Sequence, residues 1–227
     1  MSPPRFRSRS VGTSPRVVRQ VASWCLCYPD EVLVARLPDL SAALAEQETG
    51  PAILALQGFL DHAGMQPLEE WQRHYVDVFD LNRRRSLYLS YWTDGDTRRR
   101  GEVLATFKQH YRDSGFLVDT HGELPDFLPM VLEYAAVADP KRGEELLVEY
   151  RAAVELLRFA LLDIDTRYAD VLEAVCATLP GPAPTDRAEV RAMAQSGPPT
   201  EFVGLEPYDP RLLPLQPVGP STGPVGR

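Results

Sequence analysis

The chain has 227 residues, 44% of them hydrophobic, which suits one domain of ordinary size with tails. Its formal net charge of −8 excludes general affinity for nucleic acid or anionic membrane and favours a cationic or apolar partner. The cysteines Cys25, Cys27 and Cys176 are odd in number and outline no disulfide framework, so a reducing, cytoplasmic setting is expected.

Residues 1–15 are rich in Ser, Pro and Arg, including Arg5, Arg7 and Arg9, and read as a flexible basic arm. A signal peptide is not expected, because Arg19 and Gln20 interrupt Val17–Cys27 and no small-residue cleavage site follows. Nor does any apolar run approach the roughly 18 residues of a membrane span. From Arg16, the spacing of Val17, Val21, Trp24, Cys25 and Tyr28 predicts a helix that Pro29 ends. Leu37, Leu40 and Leu44 form a second stripe, and Pro51 opens a third with Ile53, Leu56, Leu60 and Ala63. Pro67 is expected at the first position of the next helix, whose stripe is Leu68, Trp71, Tyr75 and Val78/Phe79; Glu69 and Glu70 suit the dipole of its first turn. Asn82–Ser86 breaks the pattern. Leu87–Trp92 is apolar without a clean period, and the helical surroundings favour helix there against its β-propensity.

Arg100, Leu104, Phe107 and Tyr111 mark a helix that runs to Gly115, and the loop 116–122 leads into the segment Glu123-Leu-Pro-Asp-Phe-Leu-Pro-Met-Val-Leu-Glu-Tyr134. Pro125 and Pro129 fit a helix entrance and little beyond it, so a helix is expected to start here, with Asp126 as its N-cap or first-turn carboxylate. Asp139-Pro140 ends it. Leu147, Tyr150, Val154, Leu157, Leu161 and Ile164 form the longest stripe in the chain, and Tyr168, Val171, Leu172 and Val175 a last one. Beyond Leu179 the final 48 residues hold 11 of the 21 prolines. The expected division is therefore arm 1–15, helical unit 16–180 and a largely disordered tail 181–227, with a short helix possible over Asp186–Gln195 and an apolar island at Phe202–Tyr208.

Catalytic frames are missing: there is no G-x-S-x-G, no phosphate-cradling loop, no G-x-G-x-x-G and no H-E-x-x-H. His62, His74, His110 and His121 are scattered, and Cys25-x-Cys27 alone does not complete a four-coordinate metal site, so neither enzyme activity nor a bound metal or cofactor is expected. Cys25 fits burial in the first helix. The arginine runs Arg83–Arg85 and Arg98–Arg100 read as solvated surface, or else as contacts for an acidic patch or a phosphate.

Two separated motifs carry a more specific signal. Tyr75-Val-Asp-Val-Phe79-Asp80, followed some fifty residues later by Glu123-Leu-Pro-Asp-x-Leu-Pro-x-x-Leu-Glu133, resembles the NarJ-type nitrate reductase assembly chaperones within the wider TorD/DmsD group of redox-enzyme maturation chaperones. The resemblance spans roughly residues 17–180. It implies an all-α fold of about eight helices and a non-enzymatic, cytoplasmic chaperone. Such a protein would bind the N-terminal segment of the nitrate reductase catalytic (alpha) subunit and hold the apoenzyme for molybdenum cofactor and iron-sulfur insertion before membrane attachment. The client-peptide site it implies comprises Tyr75, Phe79, Asp80, Glu123, Leu124, Pro125, Asp126, Phe127, Leu128, Pro129, Leu132 and Glu133, with the acids as a rim, Tyr75 and Phe79 as floor, and the leucines as groove or core. Two alternatives stay open: a chaperone for a different molybdoenzyme, and a helical protein that binds a nucleotide or other small ligand.

Overall fold

A computed structural model describes residues 13–94, 98–116 and 122–196. Most of the basic arm, His121 and the Phe202–Tyr208 island lie outside the described residues. Within them the elements are helical: α1 (Pro15–Cys25), α2 (Glu31–Ala45), α3 (Pro51–Met65), α4 (Leu68–Tyr75), α5 (Leu89–Asp94), α6 (Arg98–Asp113), α7 (Leu128–Glu133), α8 (Pro140–Glu149), α9 (Arg151–Leu162), α10 (Tyr168–Cys176) and α11 (Arg187–Ser196). The fold is all-α, as the periodicity implies. Pro15, Pro51 and Pro140 occupy first helical positions, where a missing N–H costs nothing. Pro67 stands one step earlier than expected, as the N-cap of α4. Asp30 and Asp139 cap α2 and α8 by accepting from Leu33 N at 2.8 Å and Arg142 N at 3.0 Å.

The core is centred on α10, against which α1, α3 and α9 pack; Val171, Leu172, Ala174 and Val175 are wholly buried. An aromatic cluster of Phe59, Trp71, Tyr75, Phe79 and Tyr168 joins α3, α4 and α10, with Trp71 Nε1–H donating to Tyr168 Oη at 2.8 Å. Burial of one such ring is worth about 1.5–3 kcal/mol, so this cluster anchors α4 firmly. On the other side α1 lies antiparallel to α7: Ser23 Oγ–H donates to Pro129 O at 2.8 Å, and Arg16 Nε–H to Ala136 O at 2.7 Å.

Three expectations change. The long stripe from Leu147 to Ile164 is two helices, broken at Tyr150 (φ −96°, ψ 16°). The stripe reads through this one-residue break because Leu147, Val154, Leu157 and Leu161 are all buried in the same core. Leu87–Trp92 is partly both forms: Tyr88 makes an isolated antiparallel bridge to Phe127, and α5 begins at the next residue. Third, the described chain does not lose its packing at 181. The buried Glu155 lies 2.8 Å from Arg158 and 3.7 Å from Arg151. These arginines donate in turn to the carbonyls of Pro180, Pro182 and Pro184, and α11 then packs on α9 with Val190 fully buried. Proline supplies acceptors without donors, which suits guanidinium groups already held by a carboxylate.

Candidate functional site

The two sequence motifs meet at one groove. Helices α4 and α7 each run on into a π-helical turn, Val76–Asp80 and Tyr134–Ala138, closed by the i→i−5 bonds Leu81 N–H to Val76 O (3.1 Å) and Asp139 N–H to Tyr134 O (3.0 Å). Such turns widen the helix by one residue and leave carbonyls without partners. Arg85 takes up two of them, donating to Val78 O at 2.7 Å and Asp77 O at 3.2 Å, so this arginine of the 83–85 run closes a helix end and is not a solvated surface charge. The first π turn carries Phe79, packed on the Tyr75 ring at 4.9 Å, and Asp80 to one wall of the groove.

The bridge Tyr88–Phe127 forms the other wall. Leu128 N–H donates to Leu87 O at 2.8 Å and Leu89 N–H to Asp126 O at 3.0 Å, which sets the Tyr88 and Phe127 rings 5.5 Å apart. Tyr88 Oη–H donates to Glu123, tying the start of the second motif to this wall. The end of α1 and the following loop add Ser23, Cys27, Tyr28 and Asp30. Tyr28 is 48% exposed and meets Tyr75 edge-on at 5.5 Å. The groove, open on one side, has a volume of about 570 Å³, with Pro129 and Met130 completing the apolar surface.

Charge in the groove has one sign. Asp30, Asp80, Glu123 and Glu133 line it, and no Lys or Arg does so among the described residues. Partial burial and the nearby Glu123 raise the Asp80 carboxyl above its ordinary value. Burial, then Glu133, Asp30 and Glu123, push the Cys27 thiol up to about 12, which leaves it an unreactive S–H that donates to Ser23 O at 3.3 Å. Burial and the bond to Glu123 hold the Tyr88 phenol protonated as a donor. Among the described residues no three His, Cys, Asp or Glu side chains are grouped to hold a metal ion, and no helix is long and apolar enough to cross a membrane.

Of the twelve residues expected at the site, Tyr75, Phe79, Asp80, Glu123, Phe127, Pro129 and Glu133 come together at the groove. Five do not. Leu128 and Leu132 are fully buried in the core, Pro125 is buried with its carbonyl accepting from Tyr111 Oη–H at 2.6 Å, and Leu124 is exposed outside the groove. Asp126 is the main correction. It is fully buried, and the N-cap of α7 is Phe127, with no side-chain bond. The Asp126 carboxylate instead accepts from Ser90 N–H (3.0 Å) and Ser90 Oγ–H (2.5 Å), with Arg100 3.7 Å away, so it caps α5 across the bridge. The pairing of 87–89 with 126–128 turns this side chain inward, so it cannot stand on the rim. Sequence reasoning missed Cys27, Tyr28, Asp30, Tyr88 and Met130; the available signal was the aromatic and acidic Tyr28-Pro-Asp30 just past the end of α1.

The all-helical domain thus brings its two motifs together at an acidic groove lined by aromatic rings. The fold matches a crystal structure of a candidate redox enzyme maturation protein from Archaeoglobus fulgidus with a TM-score of 0.54 at 18% identity, over 78% of this chain and 98% of that one. A family model, nitrate reductase delta subunit, matches residues 42–173. The chain is 34% identical over 167 residues to a Bacillus subtilis protein named "Probable nitrate reductase molybdenum cofactor assembly chaperone NarJ", covering 74% of this chain and 90% of that protein. It is 42% identical over 163 residues to the nitrate reductase-like protein NarX of Mycobacterium tuberculosis, where the match covers 71% of this chain and about a quarter, 24%, of the relative. The chain belongs to the nitrate reductase delta subunit family and is of the NarJ type.

Proposed function

We propose that this protein is a system-specific assembly chaperone that acts in the cytoplasm. It binds the N-terminal segment of the nitrate reductase catalytic subunit and holds the apoenzyme open for molybdenum cofactor and iron-sulfur insertion. The observation that carries this reading is the groove: four carboxylates and, among the described residues, no Lys or Arg around a floor and walls that include Tyr75, Phe79, Phe127 and Met130. An amphipathic helix can lay apolar residues at i, i+3, i+4 and i+7 on such a floor while its Lys or Arg side chains meet the rim. Complementary charge speeds encounter and selects the partner more than it sets affinity. Release of the client requires moderate strength, with dissociation constants from about micromolar to nanomolar. The client-facing set is then Tyr75, Phe79, Asp80, Glu123, Phe127, Pro129 and Glu133, joined by Tyr28, Asp30, Tyr88 and Met130.

Isothermal titration of the chain with a synthetic peptide of the catalytic subunit's N-terminus tests the reading. Saturable binding that weakens modestly between 0.05 and about 0.3 M salt, and about tenfold on Glu123→Gln, is expected, since screening acts over about 10 Å at 0.1 M. Absence of binding, or binding unchanged by Phe79→Ala and Glu123→Gln, overturns it.

A further inference from the structure

The groove's chemistry is matched within the chain itself. Residues 1–12, Met-Ser-Pro-Pro-Arg5-Phe6-Arg7-Ser-Arg9-Ser-Val-Gly, carry three cations, one aromatic ring and no acid. That is the complement of a groove with four carboxylates, aromatic rings and, among the described residues, no lining cation. The arm also leaves the fold at a suitable place. Thr13 Oγ1–H donates to Glu48 O at 3.0 Å and Ser14 N–H to Gln47 Oε1 at 3.0 Å, so the chain is anchored just before α1. Ser23 and Cys27, at the far end of α1, belong to the groove. The intervening 10–14 residues of helical path cover about 15–21 Å. An extended chain covers about 3.3 Å per residue, so Phe6, seven residues before Thr13, reaches about 23 Å; Arg9, four residues before it, reaches about 13 Å and stops short.

We infer that the segment Arg5-Phe6-Arg7 folds back along α1 and occupies the groove as an internal competitor of the client, with Phe6 on the aromatic floor and the two arginines against Glu123, Glu133 or Asp80. This rests on the groove being the client site. The C-terminal sequence is a poorer occupant, because residues 197–227 hold three acids, Glu201, Glu206 and Asp209, against two cations, Arg211 and Arg227. A tether this short sets a local concentration in the millimolar range, so a segment with only millimolar intrinsic affinity competes appreciably. Its competition keeps the acidic groove covered until a client with a better apolar face displaces it.

The test compares the intact chain with three variants: Arg5→Ser/Phe6→Ser/Arg7→Ser, Arg9→Ser, and Phe202→Ser/Val203→Ser/Leu205→Ser. Each is titrated with the catalytic-subunit peptide and with a synthetic peptide of residues 1–12. The first variant should bind the client peptide on the order of fivefold more tightly than the intact chain, while Arg9→Ser stays within about twofold. It should also bind the 1–12 peptide in the millimolar range, and lose that binding when Asp80→Asn and Glu123→Gln are added, with helical circular dichroism retained. The inference is overturned if client affinity is the same in the intact chain and the first variant. It is equally overturned if the gain appears in the Phe202/Val203/Leu205 variant, which makes the tail the occupant, or if occupancy depends on protein concentration, which makes it a second copy. If the client peptide binds no variant, the proposed function fails, and the 1–12 titration alone still decides this inference: no binding to the first variant overturns it.

Discussion

Asp126 is the residue whose substitution best separates a structural from a client-binding role. Its carboxylate is fully buried and accepts the Ser90 N–H at 3.0 Å and the Ser90 hydroxyl at 2.5 Å, with the mostly buried Arg100 guanidinium 3.7 Å away. In Asp126→Ala the Ser90 N–H, a first-turn donor of α5, has no intrahelical acceptor to turn to. Bonds to a charged acceptor are worth about 1.5–3 kcal/mol, and removing one partner of a buried pair costs about 3–5 kcal/mol. A loss of about 4 kcal/mol is a large part of the roughly 5–15 kcal/mol that holds a domain. At about 2–4 °C per kcal/mol for a chain of this size, the Tm should fall by about 8–16 °C. Asp126→Asn keeps one acceptor oxygen and should cost about 1–2 kcal/mol. Thermal unfolding followed by circular dichroism measures both, and a double-mutant cycle with Ser90→Ala should show a coupling above about 1 kcal/mol. An unchanged Tm with a lost client-peptide affinity would refute the reasoning and return Asp126 to the rim.

Gly143→Ala should destabilise by about 1–3 kcal/mol in chemical denaturation, because the new Cβ would stand 2.3 Å from Ala135 Cα; an exposed helical glycine would instead gain about 1 kcal/mol. Asp80 binds its proton more tightly in the fold than in the unfolded chain, so its contribution to stability is present in acid and lost as pH rises through its folded value, above the ordinary 3.8. Asp80→Asn should therefore raise the Tm slightly at neutral pH and leave it unchanged in acid. His74, largely exposed but stacked on Tyr168 and with Nε2 2.8 Å from Thr166 Oγ1, has its pKa lowered chiefly by partial desolvation. The folded chain then binds fewer protons than the unfolded one as pH falls below 6.5, and stability declines; in urea titrations His74→Gln should flatten that decline.

The helices and their apolar faces were legible because each depends on local spacing. Pro51 at a first helical position and stripes such as Ile53, Leu56 and Leu60 act within one or two turns. The pairing of the Tyr75–Asp80 and Glu123–Glu133 motifs was legible as a pattern of special residues, and seven of the twelve residues read from it face the groove. What periodicity misjudged was the break at Tyr150, since two helices burying one side in a common core leave the same imprint as one.

Sequence alone determined the helical class, the excess of negative charge and the family motifs, because composition and short-range spacing are properties of the chain whatever it packs against. Only the tertiary structure decided which acids are rim and which are interior. Asp126 and Glu123 stand three residues apart in one acidic, proline-containing run, yet one caps α5 inside the core and the other meets Tyr88 at the groove. That difference comes from the pairing of residues 87–89 with 126–128, a contact made across nearly forty residues of chain, and local spacing carries no record of a partner that distant.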